Sequence, residues 1–169
     1  MKTGLDVLLS QRGGSLRGQK AGFIIHPASV DSSGRHILDA LRECPDIRVA
    51  ALFAPEHGLR GEAQDQVPVP DSRYGSLPVY SIYGDKRAPE PGWLRELDAL
   101  VFDLQDVGAR YYTFVWTMAL SMRSCKEAGK RFVVLDRPNP ITGEIIEGNV
   151  LDPGFTSINT PPQRSPSHL

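Results

Sequence analysis

Cysteine is nearly absent. The chain has two, Cys44 and Cys125, and no CxxC pair. That removes the usual zinc and dithiol motifs and leaves two small thiols expected in the core. Long hydrophobic runs are absent too. None approaches the ~18 residues of a membrane span. Behind the first lysine stands only "VLL", where a signal peptide needs roughly 7–15 apolar residues. The chain as written is therefore expected in the cytoplasm. An excess of one charge is also missing: 19 Lys and Arg face 20 Asp and Glu, for a net charge of −1. Nothing marks a partner made of nucleic acid or an acidic membrane surface. Finally, neither dinucleotide nor P-loop glycines stand where a phosphate would need them. "GGSLRG" precedes the first apolar run instead of following it, so it cannot cradle a pyrophosphate at a helix N-terminus.

What is present fits one domain. Of the 169 residues, 40% are hydrophobic, enough for a real core. Four short apolar runs bounded by turn residues read as buried strands: Ala21–Ile25, Ile47–Phe53, Ala99–Leu104 and Arg131–Asp136. Leu77–Tyr83 is a weaker fifth. Strands apolar on both faces suit a parallel sheet covered by helices.

Helical patterns alternate with these runs. Asp6–Arg12 is a short candidate. "SSGRHILDALREC" spaces Ile37, Leu38 and Leu41 helically, with Ser32 or Ser33 as the expected N-cap. The strongest pattern is "TFVWTMALSMRSCKEAG", where Phe114, Met118, Leu120, Met122 and Cys125 supply an apolar surface and Gly129 a stop. The predicted fold is α/β: a Rossmann-like, doubly wound, mostly parallel sheet with helices on both faces. Residues 61–75 read as a long polar loop carrying Pro68 and Pro70, and the last ten residues as a disordered tail.

Polar residues follow each strand. His26 and Ser29 follow the first, and Glu56, His57 and Arg60 the second. Gln105, Asp106 and Arg110 follow the third, with Asp103 inside it. Asp136, Arg137 and Asn139 end or follow the fourth. In open α/β sheets ligands bind at this edge, so four such exits point to one shared site. Asp103, Asp106 and Asp136 offer oxygens for a hard cation, but Arg60, Arg110 and Arg137 among them favour an anionic or hydroxyl-rich ligand. No cofactor is expected. Glu56, between Pro55 and His57 on a tight exit, suits a proton donor once partial burial raises its pKa. The plainer alternative has it bracing its loop by pairing with Arg60. Asp103, inside a strand, reads as structural. Tyr111 and Tyr112 alternate, so one is expected in the core and the other free to stack on a sugar ring.

Five stretches, "TGLDVLL", "FAPEHGLRGEAQ", "LPVYSIYG", "LDALVFDLQDVGARYYTF" and "VLDRPNPITG", together resemble the exo-β-N-acetylmuramidase family of peptidoglycan hydrolases. The likeness runs from about Thr3 to Ser157. It implies a glycosidase that releases N-acetylmuramic acid from the non-reducing ends of peptidoglycan fragments. It also implies a Rossmann-like N-terminal domain, with the active site in a cleft against a second domain. Glu56 falls on the glutamate the family uses in catalysis. His57 and Arg60 match its neighbours. Gln105, Asp106, Arg110 and Tyr112 match the "QDVGxRxYT" segment, and Asn139 the "DRPNP" segment. Asp106 is the expected second carboxylate, and Arg110 the expected partner of the lactyl carboxylate.

The chain departs from the family near "DPGFTS". Residues 1–157 are read as the N-terminal catalytic domain and 158–169 as a disordered or aberrant tail, with the family's C-terminal domain missing. An apolar edge would then be exposed, so self-association or pairing with a separate C-terminal half is expected. Many family members carry an export signal, and none is expected in this chain as written. Two other readings compete: a muropeptide- or sugar-binding domain without activity, and a nucleotide-binding domain, which the missing glycine loop disfavours.

Overall fold

A computed structural model describes residues 2–55, 58, 72–84, 86–109 and 111–148. The elements run α1 (Gly4–Ser10), β1 (Lys20–Ile25), α2 (Ile37–Ala40), β2 (Arg48–Ala54), β3 (Ser72–Tyr74), β4 (Leu77–Ser81), α3 (Pro91–Leu94), β5 (Ala99–Asp103), α4 (Phe114–Glu127) and β6 (Arg131–Val134). One sheet takes the order β3-β4-β2-β1-β5-β6. Every neighbouring pair is parallel except β3–β4. All five expected strands are therefore present, and the fold is the Rossmann-like α/β sheet that their apolar runs call for.

Alternation along the strands builds two cores. Phe23, Ile25, Leu52 and Val101 face one side, where Leu5 and Leu8 of α1 and Ile37 of α2 close over them. Ile24, Phe53, Leu100 and Phe102 face the other, against Leu94 of α3 and Cys125 of α4. Phe23, Ile24, Leu52 and Phe53 are wholly buried, each side chain contributing about 1.5–3 kcal/mol of transfer free energy. Both cysteines are buried and free, and burial pushes the Cys125 thiol up to about 11. Among the described residues no helix is long and apolar enough to cross a membrane.

The helix ends differ from expectation. α1 begins at Gly4, two residues early, because Thr3 and Asp6 form a reciprocal capping box. The N-cap of α2 is His36, whose Nδ1 accepts the Leu38 N–H at 3.3 Å. Neither Ser32 nor Ser33 caps it: their hydroxyls donate to Asp6 and Asp31. α2 itself is one turn, continued by a 3-10 turn at Leu41–Glu43. Met122 of α4 lies 48% exposed, outside the core, while Gly129 ends that helix at φ 64 as expected. Part of the expected polar loop is strand, since β3 pairs with β4 as a short hairpin. Residues 61–71 and the tail lie outside the described residues.

Candidate functional site

Two wings of the sheet leave from β1. β2 and β4 lie on one side of it, β5 and β6 on the other. The winding direction therefore reverses between β1 and β5, and the crevice outside their carboxyl ends is where such sheets hold ligands. β1, β5 and β6 all deliver polar residues there.

Arg137 ties these exits together. Its Nε donates to Asp103 Oδ1 at 2.6 Å and its Nη2 to Asp103 Oδ2 at 2.9 Å. The same Nη2 donates to the Val30 carbonyl at 3.0 Å. The Asp103 side chain is 0% exposed and that of Arg137 6%. Burial pushes the Asp103 carboxyl above the usual carboxylate range, and the Arg137 guanidinium pulls it back. The Asp103 carbonyl accepts the Ser29 hydroxyl, and Ser29 Oγ accepts the His26 N–H at 3.0 Å. His36 Nε2 meets the His26 carbonyl at 3.3 Å. That oxygen can only accept, and Nδ1 is already an acceptor, so the ring proton sits on Nε2.

A second tie lies further out. Gln105 Nε2 donates to the carbonyls of Asp106 at 2.8 Å and Pro138 at 2.7 Å. Asp106 Oδ1 accepts the Gly108 N–H at 3.1 Å, and Asn139 Oδ1 accepts the Ile141 N–H at 3.1 Å. Each is a local turn made by a short polar side chain. The two turns touch at Gly108, which has φ +72. A Cβ there would stand 2.6 Å from Asn139 Oδ1. Glycine is thus demanded both by the backbone and by the neighbour.

Beside this contact opens a cleft of about 510 Å³, bordered by Gly108, Tyr111, Ile141, Thr142, Ile145 and Glu147. Tyr111 is 75% exposed and Tyr112 44%, with their rings 5.6 Å apart. The alternation expected of them fails: neither enters the core, because they sit on the irregular exit before α4 and not on a strand. Thr142, on the cleft wall, has φ 127, a strained backbone for a β-branched residue.

The structure thus gathers Gln105, Asp106 and Asn139, with Tyr112 on the same exit as the first two. Glu56, His57, Arg60 and Arg110 lie outside the described residues. Of their loop, Gly58 is described, and its N–H closes a turn onto the Pro55 carbonyl at 3.1 Å. Arg137, which its sequence position groups with the ligand-facing cations, points inward to Asp103 instead. The signal was available, since an aspartate inside an apolar strand needs a buried partner. Asp103 proves structural, through that side-chain ion pair and its carbonyl. Gly108 stands inside the "QDVGxRxYT" segment, which by itself gives the glycine no role. Among the described residues no three His, Cys, Asp or Glu side chains are grouped to hold a metal.

The model of the family described as exo-β-N-acetylmuramidase NamZ, N-terminal, matches residues 21–163. The peptidoglycan β-N-acetylmuramidase NamZ of Bacillus subtilis (strain 168) is 46% identical over 160 residues, which is 94% of this chain and 39% of that protein. Two solved DUF1343 family proteins of Bacteroides fragilis NCTC 9343 superpose well. One has a TM-score of 0.82 at 43% identity, covering 94% of this chain and 40% of the other. The second has a TM-score of 0.74 at 28% identity, covering 95% and 41%. This chain spans about two fifths of the length of each. By sequence and by fold, it belongs to the NamZ exo-β-N-acetylmuramidase family, whose N-terminal part it matches.

Proposed function

We propose that this chain supplies the catalytic edge of a glycosidase that releases N-acetylmuramic acid from the non-reducing ends of peptidoglycan fragments. One observation carries the reading. The "QDVG" and "DRPN" segments, far apart in sequence, meet at the carboxyl edge of the sheet next to the β1–β5 crevice. The relative of known name acts as a peptidoglycan β-N-acetylmuramidase, and its likeness covers both segments.

In the proposed chemistry Glu56 protonates the glycosidic oxygen as its bond to the anomeric carbon breaks. Water then supplies the new oxygen at that carbon, and the leaving sugar departs as an alcohol. Asp106 is the second carboxylate, acting as base or nucleophile. An N-acetyl sugar offers another route, in which its own acetamido oxygen attacks and Asp106 steadies the group. Arg110 receives the lactyl carboxylate, for which a planar guanidinium is suited. His57, Arg60, Gln105, Tyr112 and Asn139 bind and orient the sugar. An open cleft lined by aromatic and aliphatic groups supports a saccharide ligand of this size.

The test is release of N-acetylmuramic acid from a MurNAc–GlcNAc disaccharide by the purified chain and its Glu56→Gln variant. A loss of about 10²–10⁴-fold in the variant, with binding retained, is the expected result for a general acid. Binding of the disaccharide without turnover in either protein would replace this reading with that of a sugar-binding domain.

A further inference from the structure

We propose that Arg137 is a positioning residue for this site: it sets the spacing between the loop that carries Asp106 and the loop that carries Asn139. It touches no ligand itself, being 6% exposed at the side chain. What singles it out is the number of chain segments it joins. Its guanidinium binds the carboxylate at the end of β5 and the carbonyl of Val30 beyond β1, while its own backbone leads out of β6. Three strand exits are referred to one rigid, planar group.

The next residue continues the arrangement. Pro138 follows Arg137, and its carbonyl accepts the Gln105 amide at 2.7 Å. Asn139 follows Pro138 and meets Gly108. Arg137 and Gln105 are therefore two successive rungs between the exits of β5 and β6. The inner rung is dry and bidentate; the outer is half-exposed. Shifting the inner rung moves the outer one.

A purely structural role explains this less well. A buried ion pair is weak evidence for stability, since apolar residues of similar volume often serve as well. A pair with fixed fork geometry does something an apolar pair cannot: it fixes a direction. Lysine in its place keeps the charge but presents a point donor, which cannot make the parallel pair to Asp103.

The kinetic consequence rests on the glycosidase reading; the structural one does not. The experiment compares the wild-type chain with Arg137→Lys and with the apolar double variant Asp103→Leu/Arg137→Met. Each is measured for thermal melting, for the side-chain amide resonances of Gln105 and Asn139, and for turnover of the MurNAc–GlcNAc disaccharide. Both variants are expected to fold with cooperative melts and to move those amide resonances toward free values. They should also lower kcat on the order of 10- to 100-fold, the effect of misplacing reacting groups by about an ångström, with KM changed less than about threefold. Arg35→Lys, which alters only the side-chain contacts to Asp31 and Glu43, is the control and should leave the amide resonances and turnover unchanged. If Arg137→Lys fails to fold, the double variant decides.

Unmoved amide resonances overturn the proposal whatever the kinetics. Moved resonances with normal turnover overturn it as well, leaving Arg137 a structural residue. If the wild-type chain releases no sugar, the glycosidase reading fails by itself, and the positioning role stands or falls on the amide resonances.

Discussion

The Gln105 side-chain amide donates to the Pro138 carbonyl at 2.7 Å, bridging two loops 33 positions apart in sequence. The same nitrogen donates to the Asp106 carbonyl at 2.8 Å, so both of its protons are engaged. A glutamine is needed here because the two partners are both acceptors. A carboxylate in its place would face two carbonyl oxygens with nothing to donate.

Gln105→Glu is therefore expected to lower stability by about 0.5–1.5 kcal/mol, the net worth of an intramolecular hydrogen bond. Gln105→Leu should cost less, since it removes the donors without adding a repelling charge. Urea titration of the three proteins at neutral pH gives the order directly. Equal midpoints would mean that water replaces the amide at no cost.

Gly108→Ala is expected to destabilise by about 1–3 kcal/mol, because an L side chain is strained at φ +72. The new methyl also lands 2.6 Å from Asn139 Oδ1. The Asn139 amide, which also accepts the Ile141 N–H, must swing aside, so disaccharide binding should weaken along with the melting temperature. Gly18→Ala, also at positive φ but with open space around it, separates backbone strain from collision: it should cost stability and leave binding alone.

Acid should weaken the chain through two aspartates. Asp31 is held at about 2, below its ordinary 3.8, chiefly by the Ser33 hydroxyl. Asp6 is held lower still, first by the Ser32 N–H and then by that of Thr3. Both values are depressed in the folded chain, so their stabilisation is complete above the ordinary carboxylate range. It is lost as pH falls from 3.8 through about 2. Urea midpoints measured from about pH 5 downward should fall in that window, and Asp31→Asn should flatten the fall. A profile unchanged by the substitution would show that Asp31 has no share in it.

Gly4→Ala tests the seat of α1. A Cβ at Gly4 would stand against the backbone of Leu135 and Asp136, and the Gly4 N–H donates to the Asp136 carbonyl at 2.6 Å. Backbone cannot swing aside as a side chain does. The expected loss is about 1–3 kcal/mol, read by thermal melting. No loss would mean that α1 can lift off β6 freely.

The sheet was legible in the sequence because its strands are apolar on both faces. Ala21–Ile25 and Ala99–Leu104 need no partner to be read as buried. β3 was not legible: Ser72–Tyr74 is three residues, without an apolar face, and only its pairing with β4 makes it a strand. The cap of α2 was missed because two serines stood where a cap is usually sought, and tertiary contacts drew their hydroxyls to Asp6 and Asp31. At the site, Gln105, Asp106 and Asn139 could be placed because strand ends announce themselves. The inward turn of Arg137 could not be placed this way, since an arginine beside a strand end looks the same whether it faces a ligand or a buried carboxylate. The role of Gly108 was not legible because half of its constraint comes from Asn139, far along the chain, and the other half from a positive φ that no neighbouring residue signals.

The two borders of the sheet are unlike. One ends in β3, three residues long and antiparallel to its neighbour, a blunt margin that discourages further pairing. The other ends in β6, parallel to β5, with Val134 43% exposed and, among the described residues, no strand beyond it. The β6 margin, four residues long, runs straight into the exit that carries Arg137 and Asn139, so the border of the sheet and the border of the site are one piece of chain.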